Sequence, residues 1–368
     1  MTVWIAPELL FDGERLVAGM AFPVEDGRVG VPVPVVAGAV PVAGIVAPGF
    51  VDLQVNGGGG VLLNQTPTAE GMEAISAAHR RLGTAAILPT LITDAPEVLD
   101  RVADAALAAR GRKGIAGVHI EGPHLSVARR GTHAERFIRP LDARTLDVVR
   151  RLRAGGVRVL ITVAPEACAP GTIAELAATG AVVSIGHSDT DADHVRAAIA
   201  EGAGCFTHLF NAMSPLLHRS PGVVGAALNS RIPAGIICDG IHVADELVGL
   251  AIRARPEPDL MFLVSDAMPT VGGPDRFRLY DMDLHLENGR LVNTEGSLAG
   301  AHVTMAESVA RLVAVVGVPV EVALRMGITI PARVIGAPEL TRIEGRAVDE
   351  VVVLDRDGRF GGLLADRI

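Results

Sequence analysis

Apolar residues in the middle of this chain fall into short runs. Between several of these runs lie longer stretches where they recur every three or four positions. A run of four to eight apolar residues bounded by turn signals reads as a buried strand, and the three-to-four spacing reads as an amphipathic helix. On these rules strands are expected at 51–55, 85–90, 117–121, 157–163, 182–186, 205–209, 234–238 and 261–265. Helices rich in Ala, Arg and Leu are expected at 69–82, 96–111, 141–154 and 191–201. Eight strand–helix units in one span favour a closed parallel barrel over an open doubly wound sheet. An open sheet would also want a Gly-x-Gly-x-x-Gly turn after its first strand. Gly57-Gly58-Gly59-Gly60 has no such register and no helix start behind it, and reads as a flexible loop at the barrel mouth.

The two ends of the chain have a different texture. Residues 1–47 are rich in Val, Gly and Pro, with turn signals at Asp12-Gly13 and Asp26-Gly27. They read as small strands and turns. Ala347 to Asp355 reads as another strand, followed by a hairpin-like turn at Arg356-Asp357-Gly358-Arg359. The expected division is one small β domain from 1–47 and 340–368, beside a barrel from 48–339.

Composition narrows the class. A chain of 368 residues with 49% hydrophobic residues can bury a large core, and 3% aromatics make that core aliphatic. The net charge of −9 argues against nonspecific nucleic-acid binding, which needs clustered Lys and Arg. A small anionic substrate is still compatible, because one local Arg can fork onto a phosphate. Lys113 is the only lysine, which reads as a genomic bias towards Arg. Cys168, Cys205 and Cys238 give neither a disulfide framework nor a Cys-x-x-Cys pair. With no leader-like N-terminus and no stretch of about 20 apolar residues, a cytoplasmic protein without a membrane partner is expected.

Polar side chains at the ends of the strand-like runs carry the chemistry. Glu121 ends Val118-His119-Ile120-Glu121, and His187 ends Val183-Ser184-Ile185-Gly186-His187. His208 lies in Cys205-Phe206-Thr207-His208, His242 follows Cys238-Asp239-Gly240, and Asp266 ends Phe262-Leu263-Val264-Ser265-Asp266. Parallel barrels carry their active sites at the C-terminal ends of the strands. One such residue means little, since a strand-end His is more often structural. Together, Glu121, His187 and His208 offer three ligands for zinc or a similar divalent ion, with a position left for water. Asp266 can take a proton from that water and return it to a leaving group. His133, twelve residues after Glu121 in the long loop behind the third strand, can donate to a substrate carbonyl, although a loop His is often only solvent-facing. Arg219, in the loop after the sixth strand, is a candidate anion fork. His124, His194, His218, His285 and His302 read as structural or exposed.

At this point the motifs resemble those of the N-acetylglucosamine-6-phosphate deacetylases of the amidohydrolase superfamily. The resemblance is carried by His119-Ile120-Glu121-Gly122-Pro123, Gly131-Thr132-His133, Gly186-His187-Ser188 and Thr207-His208-Leu209-Phe210-Asn211-Ala212-Met213. Asp239-Gly240-Ile241-His242, Ser265-Asp266-Ala267 and Gly296-Ser297-Leu298-Ala299-Gly300 complete it. It implies a distorted (β/α)8 barrel with a small β-sandwich domain formed by both termini. It also implies a metal on Glu121, His187 and His208, Asp266 as general base and acid, and His133 polarising the acetyl carbonyl. Asn211, the Ala212 backbone and His242 would hold the sugar phosphate, helped by Arg219 from the neighbouring subunit of a homodimer.

Two positions depart from the family's wider pattern. Most amidohydrolases carry His-x-His on the first strand, where this chain has Gln54 and Asn56, so one divalent ion per subunit is expected, with zinc the expected ion. Gly345 to Glu350 stands where many relatives carry a Gly-x-x-Ala-Asp-Leu type turn, far from the chemistry. The resulting expectation is removal of acetate from N-acetyl-D-glucosamine 6-phosphate. The rivals are the galactosamine epimer, an N-acyl amino acid, and a non-catalytic scaffold on the same barrel. The scaffold would have lost a ligand or Asp266, and this chain keeps all four.

Overall fold

The computed structural model describes residues 2–293 and 298–368, so Gly296 and Ser297 of the last motif lie outside the described residues. Eight parallel strands run side by side in chain order: Phe50–Val55, Thr84–Ile92, Val118–Glu121, Val159–Val163, Val182–Ile185, Cys205–Phe206, Ala234–Ile236 and Met261–Leu263. Their register pairs Thr90 with His119, Glu121 with Thr162, and Ile185 with Phe206. Ladder pairing links all neighbours except the eighth and first strands. That seam closes through a parallel bridge between Val55 and Ala267, with Asn56 N and Gly57 N donating to the Ala267 carbonyl at 2.9 and 3.0 Å. The result is a nearly closed, distorted barrel, as the strand–helix alternation implies.

Helices Ala69–Arg80, Pro96–Ala109, Ala143–Ala154 and Ala192–Ala200 match the expected amphipathic stretches to within two residues at each end. Side chains stop three of them at the N-terminus by accepting otherwise unpaired backbone N–H groups. Thr68 accepts from Gly71, Asp142 from Thr145, and Asp191 from Asp193 and His194. Their apolar faces bury Ile75, Val102, Val149 and Val195 against the barrel.

Three features differ from the expectation. The sixth, seventh and eighth strands are shorter, and after the sixth and eighth the chain leaves the ladder where site residues turn left-handed. His208 has φ +26°, Phe210 +78°, Ala212 +51° and Asp266 +52°. The glycine run is not a flexible loop. Gly57-Gly58 pairs with Val61-Leu62 in a tight antiparallel turn, and Gly57 and Gly58 are buried. A Cβ at Gly57 would meet the Val61 carbonyl at 2.4 Å, and one at Gly58 would meet His79 Nε2 at 2.7 Å. The close approach therefore requires glycine. Last, a three-stranded antiparallel sheet, Arg276–Leu279, Met282–Glu287 and Arg290–Asn293, follows the eighth barrel strand in a stretch to which the apolar pattern assigns no element above.

The termini form a separate sheet domain. Val40–Pro48 lies parallel to Val3–Phe11 and antiparallel to Val351–Leu354, which pairs with Phe360–Leu363. Ile5, Phe22, Val46 and Val353 fill its core. The C-terminal strand begins at Val351 rather than 347, because Val348–Glu350 makes a short 3-10 turn. Within that turn Asp349 binds Arg80 at 2.5 Å and Lys113 at 2.6 Å, tying the sheet domain to the barrel. No helix among the described residues is long and apolar enough to cross a membrane.

Candidate active site at the barrel mouth

The C-terminal ends of the strands surround a cavity of about 190 Å³. Glu121, His133, His187, His208, Asn211, Ala212, His242 and Asp266 all line it. Every expected site residue except Arg219 is therefore brought to one place. Arg219 is exposed at the tip of a turn closed by Leu217 and Ser220, and does not reach its own chain's cavity.

Three donor atoms converge at the floor. Glu121 Oε1 lies 3.2 Å from His187 Nε2 and 3.0 Å from His208 Nε2, and the two imidazole nitrogens are 3.1 Å apart. His133 also places a nitrogen within 4.8 Å of Glu121 and His187 ligand atoms. His187 Nδ1 donates to the Arg129 carbonyl at 2.8 Å, so its Nε2 faces the cluster as a bare acceptor. Burial works against a charged His208, yet Glu121 and Asp266 outweigh it and hold His208 above the ordinary value. Burial alone would raise Glu121, but its close contacts with the His187 and His208 rings hold it well below the usual carboxylate range. Two facing imidazole nitrogens beside a buried carboxylate demand positive charge between them. This set of one oxygen and two nitrogens fits a divalent cation of the zinc type.

Asp266 stands across the cavity. Its Oδ1 accepts from Asn56 Nδ2 at 2.7 Å and from Gln54 Nε2 at 3.1 Å. The same Gln54 nitrogen also donates to Glu121 Oε1 at 2.8 Å. Desolvation, then the Glu121 charge, push Asp266 up to about 6. Gln54 and Asn56 are poor metal ligands. Their positive role is that of amide donors spanning two carboxylates. Their i, i+2 spacing on one strand, which puts both on one face, is the signal for it.

His133 is a neutral donor. Its Nδ1 receives the Thr93 backbone N–H at 3.3 Å and lies 2.7 Å from Thr93 Oγ1. With Nδ1 accepting, the ring proton sits on Nε2. Burial and the neighbouring His187 lower its pKa to about 3, so it stays uncharged. Thr93 gives no motif signal of its own. Asn211 Nδ2 is buried without a partner, an unspent donor in the wall of the cavity. His242 Nδ1 pairs with Asp239 Oδ2 at 2.6 Å, while Asp239 Oδ1 accepts the backbone N–H groups of Ile241 and His242. Ile92 and Met268 form an apolar wall, backed by Leu279, Leu284 and Leu291 of the three-stranded sheet.

Known proteins match this chain in sequence and fold. The Amidohydrolase family profile matches residues 45–345. An N-acetylgalactosamine-6-phosphate deacetylase of Shewanella sp. (strain ANA-3) is 43% identical over 322 residues, covering 86% of this chain and 81% of that protein. An N-acetylglucosamine-6-phosphate deacetylase of Haemophilus influenzae is 34% identical, covering 78% of this chain and 76% of its own length. The crystal structure of N-acetylglucosamine-6-phosphate deacetylase from Pasteurella multocida superposes with a TM-score of 0.90 at 30% identity, covering 99% of this chain and 98% of that one. The chain belongs to the amidohydrolase family, in the branch of the amino-sugar 6-phosphate deacetylases.

Proposed function

We propose that the protein is a metal-dependent hydrolase that removes acetate from N-acetyl-D-glucosamine 6-phosphate. The observation that carries this is the convergence of Glu121, His187 and His208 within 3.2 Å of one another, with Asp266 facing them across one cavity. Glu121 Oε1 and the two Nε2 atoms would hold one divalent ion, with zinc suited to the donor set. Such an ion supplies Lewis-acid polarisation and a more acidic water.

The remaining work falls to this chain's own groups. Asp266 accepts the proton of the attacking water and returns it to the departing nitrogen, without which the amine would leave as an amide anion. His133 donates its Nε2–H to the acetyl oxygen as negative charge develops there. Asn211, the Ala212 backbone and His242 bind the sugar phosphate. Arg219, exposed at its turn, serves the neighbouring site of a homodimer. The cytoplasm suits a chain with three unpaired cysteines, two of them buried in the core.

The 43% identical relative favours a second reading, in which the galactosamine epimer is the substrate. The test is acetate release from a panel of both N-acetylhexosamine 6-phosphates, their unphosphorylated sugars and an N-acetyl amino acid. Turnover confined to the glucosamine phosphate supports the first reading, and preference for the galactosamine phosphate supports the second. Release only from the amino acid would sink both.

A further inference from the structure

The barrel seam contains a carboxylate that the reaction above does not use. Asp52 lies on the first strand, fully buried, with no cation among its hydrogen-bond partners. Its Oδ1 accepts the backbone N–H of Ser265 at 3.2 Å and that of Gln54 at 3.2 Å. Its Oδ2 is bonded to the Ser265 hydroxyl. Ser265 Oγ in turn accepts the backbone N–H of Ala267 at 3.1 Å.

These contacts enclose one residue. Ser265 and Ala267 flank Asp266, whose φ of +52° is a left-handed conformation that a non-glycine residue holds only when its surroundings enforce it. The eighth strand stops at Leu263, and beyond it the backbone around Asp266 is held by single contacts instead of a ladder: the bridge between Val55 and Ala267, and the Ala301 N–H donating to the Asp266 carbonyl at 3.0 Å. Asp52 and Gln54 stand at i and i+2 on the first strand, and Asn56 follows directly past its end at Val55. Asp52 grips the backbone before Asp266, while Gln54 and Asn56 grip its carboxylate. Burying a carboxylate without a counter-charge is costly, and here burial pushes Asp52 up to about 7. An apolar residue would make none of the hydrogen bonds that Asp52 makes with the Gln54 and Ser265 backbone N–H groups and with the Ser265 hydroxyl.

We infer that Asp52, acting through Ser265, is a positioning residue that clamps the left-handed turn and aims the Asp266 carboxylate across the cavity. The inference rests on the proposed role of Asp266 and adds a residue to it.

The test pairs kinetics with a measurement that needs no activity. Asp52→Asn keeps shape but turns one acceptor into a donor facing the Ser265 hydroxyl. With purified, metal-loaded protein, kcat should fall by about tenfold to a hundredfold, the usual cost of a small misplacement, with KM within about twofold. Placed in an Asp266→Asn background, the same change should cost nothing further, because it acts only through Asp266. Ser265→Ala should show the same pattern, and it carries the test if Asp52→Asn fails to fold. Independently of any substrate, amide hydrogen exchange of the segment spanning residues 261–268 should speed up by about tenfold, while the third-strand segment 118–121 stays protected. A multiplicative loss in the Asp266→Asn background, an equal change in KM, or unchanged exchange would overturn the inference. If the unsubstituted protein releases no acetate from any substrate in the panel, the functional proposal fails by itself, and the exchange comparison still decides whether Asp52 holds the turn.

Discussion

Replacing Asp266 with Asn should slow the enzyme and stabilise the fold at once. The substitution keeps the side chain's shape, and the new carbonyl oxygen can still accept from Asn56 and Gln54, which lie 2.7 and 3.1 Å from Oδ1. What disappears is the ability to take up and return a proton, and with it kcat should fall by a factor on the order of 10² to 10⁴. What also disappears is a buried negative charge beside Glu121. Desolvation and that neighbour raise Asp266 from 3.8 to about 6. A carboxyl group raised on folding favours the folded state below its unfolded pKa, and that advantage is lost as pH rises through the folded value. Above about pH 6 the full penalty applies. A shift of about two pH units corresponds to roughly 3 kcal/mol at most, less to the extent that water in the cavity screens the charge. In chelator-treated protein, Asp266→Asn should therefore unfold at higher denaturant than the unsubstituted chain at pH 7.5, and the gap should shrink towards pH 4. The measurements are urea unfolding across that pH range, and acetate release after reloading the metal. A variant that is less stable at every pH would refute the electrostatic argument, and near-normal turnover would refute the proton-transfer role.

Metal analysis of the purified protein should give about one tightly bound divalent ion per chain, because only three good ligand atoms converge. Two fully occupied sites would mean that Gln54 or Asn56 ligates after all. Arg219→Ala should raise KM for the 6-phosphate by about 10- to 150-fold, the worth of a charge-assisted pair at roughly 1.5–3 kcal/mol. Activity on the unphosphorylated sugar should barely move. Mixing Arg219→Ala with Asp266→Asn chains should restore activity through dimers that hold one site with both groups intact. No recovery, with mixed dimers shown to form, would place Arg219 elsewhere.

The parts of the fold that were legible in the sequence are those governed by local pattern. Buried strands such as Thr84–Ile92 and Val159–Val163 are continuous apolar runs, and helices such as Pro96–Ala109 show the period of an outer layer. The strand ends were less legible, because His208 and Asp266 leave the ladder through left-handed backbone that no propensity encodes. The glycine run was misjudged for a related reason. Four glycines suit both a mobile loop and a close approach, and only the packed His79 and Val61 decide between them. The three-stranded sheet carries a readable signal of its own. Met282, Leu284 and Leu286 alternate with polar residues, and Asn288-Gly289 is a strong hairpin turn. Of the site, the residues with unusual chemistry at strand ends were visible one by one. Thr93 was not, because its hydrogen bond to His133 joins residues 40 positions apart and leaves no spacing rule along the chain, and the shared face of Gln54 and Asn56 does not name the carboxylates they reach.

The amides on the first strand bear on how one carboxylate can serve as both base and acid. Asp266 must be ionised to accept the water proton, yet basic enough to hold it until the amine departs. In the metal-free site two neutral N–H donors leave burial and Glu121 dominant, so the Asp266 pKa is raised. A second divalent cation in the same place would lower it far more and make the returned proton scarce near neutrality. The sign of this balance can be measured. Asn56 donates the shorter of the two bonds, at 2.7 Å, and pulls Asp266 downward. Removing it in Asn56→Ala should raise the Asp266 pKa. In the proposed role the ionised form is the active one, so the acidic limb of the kcat/KM profile should move to higher pH. A hydrogen bond to a charged group is worth about 1.5–3 kcal/mol, which sets a ceiling of one to two pH units, reduced by any water that enters the space. A limb that stays in place, or moves to lower pH, would show that the amides do not tune Asp266.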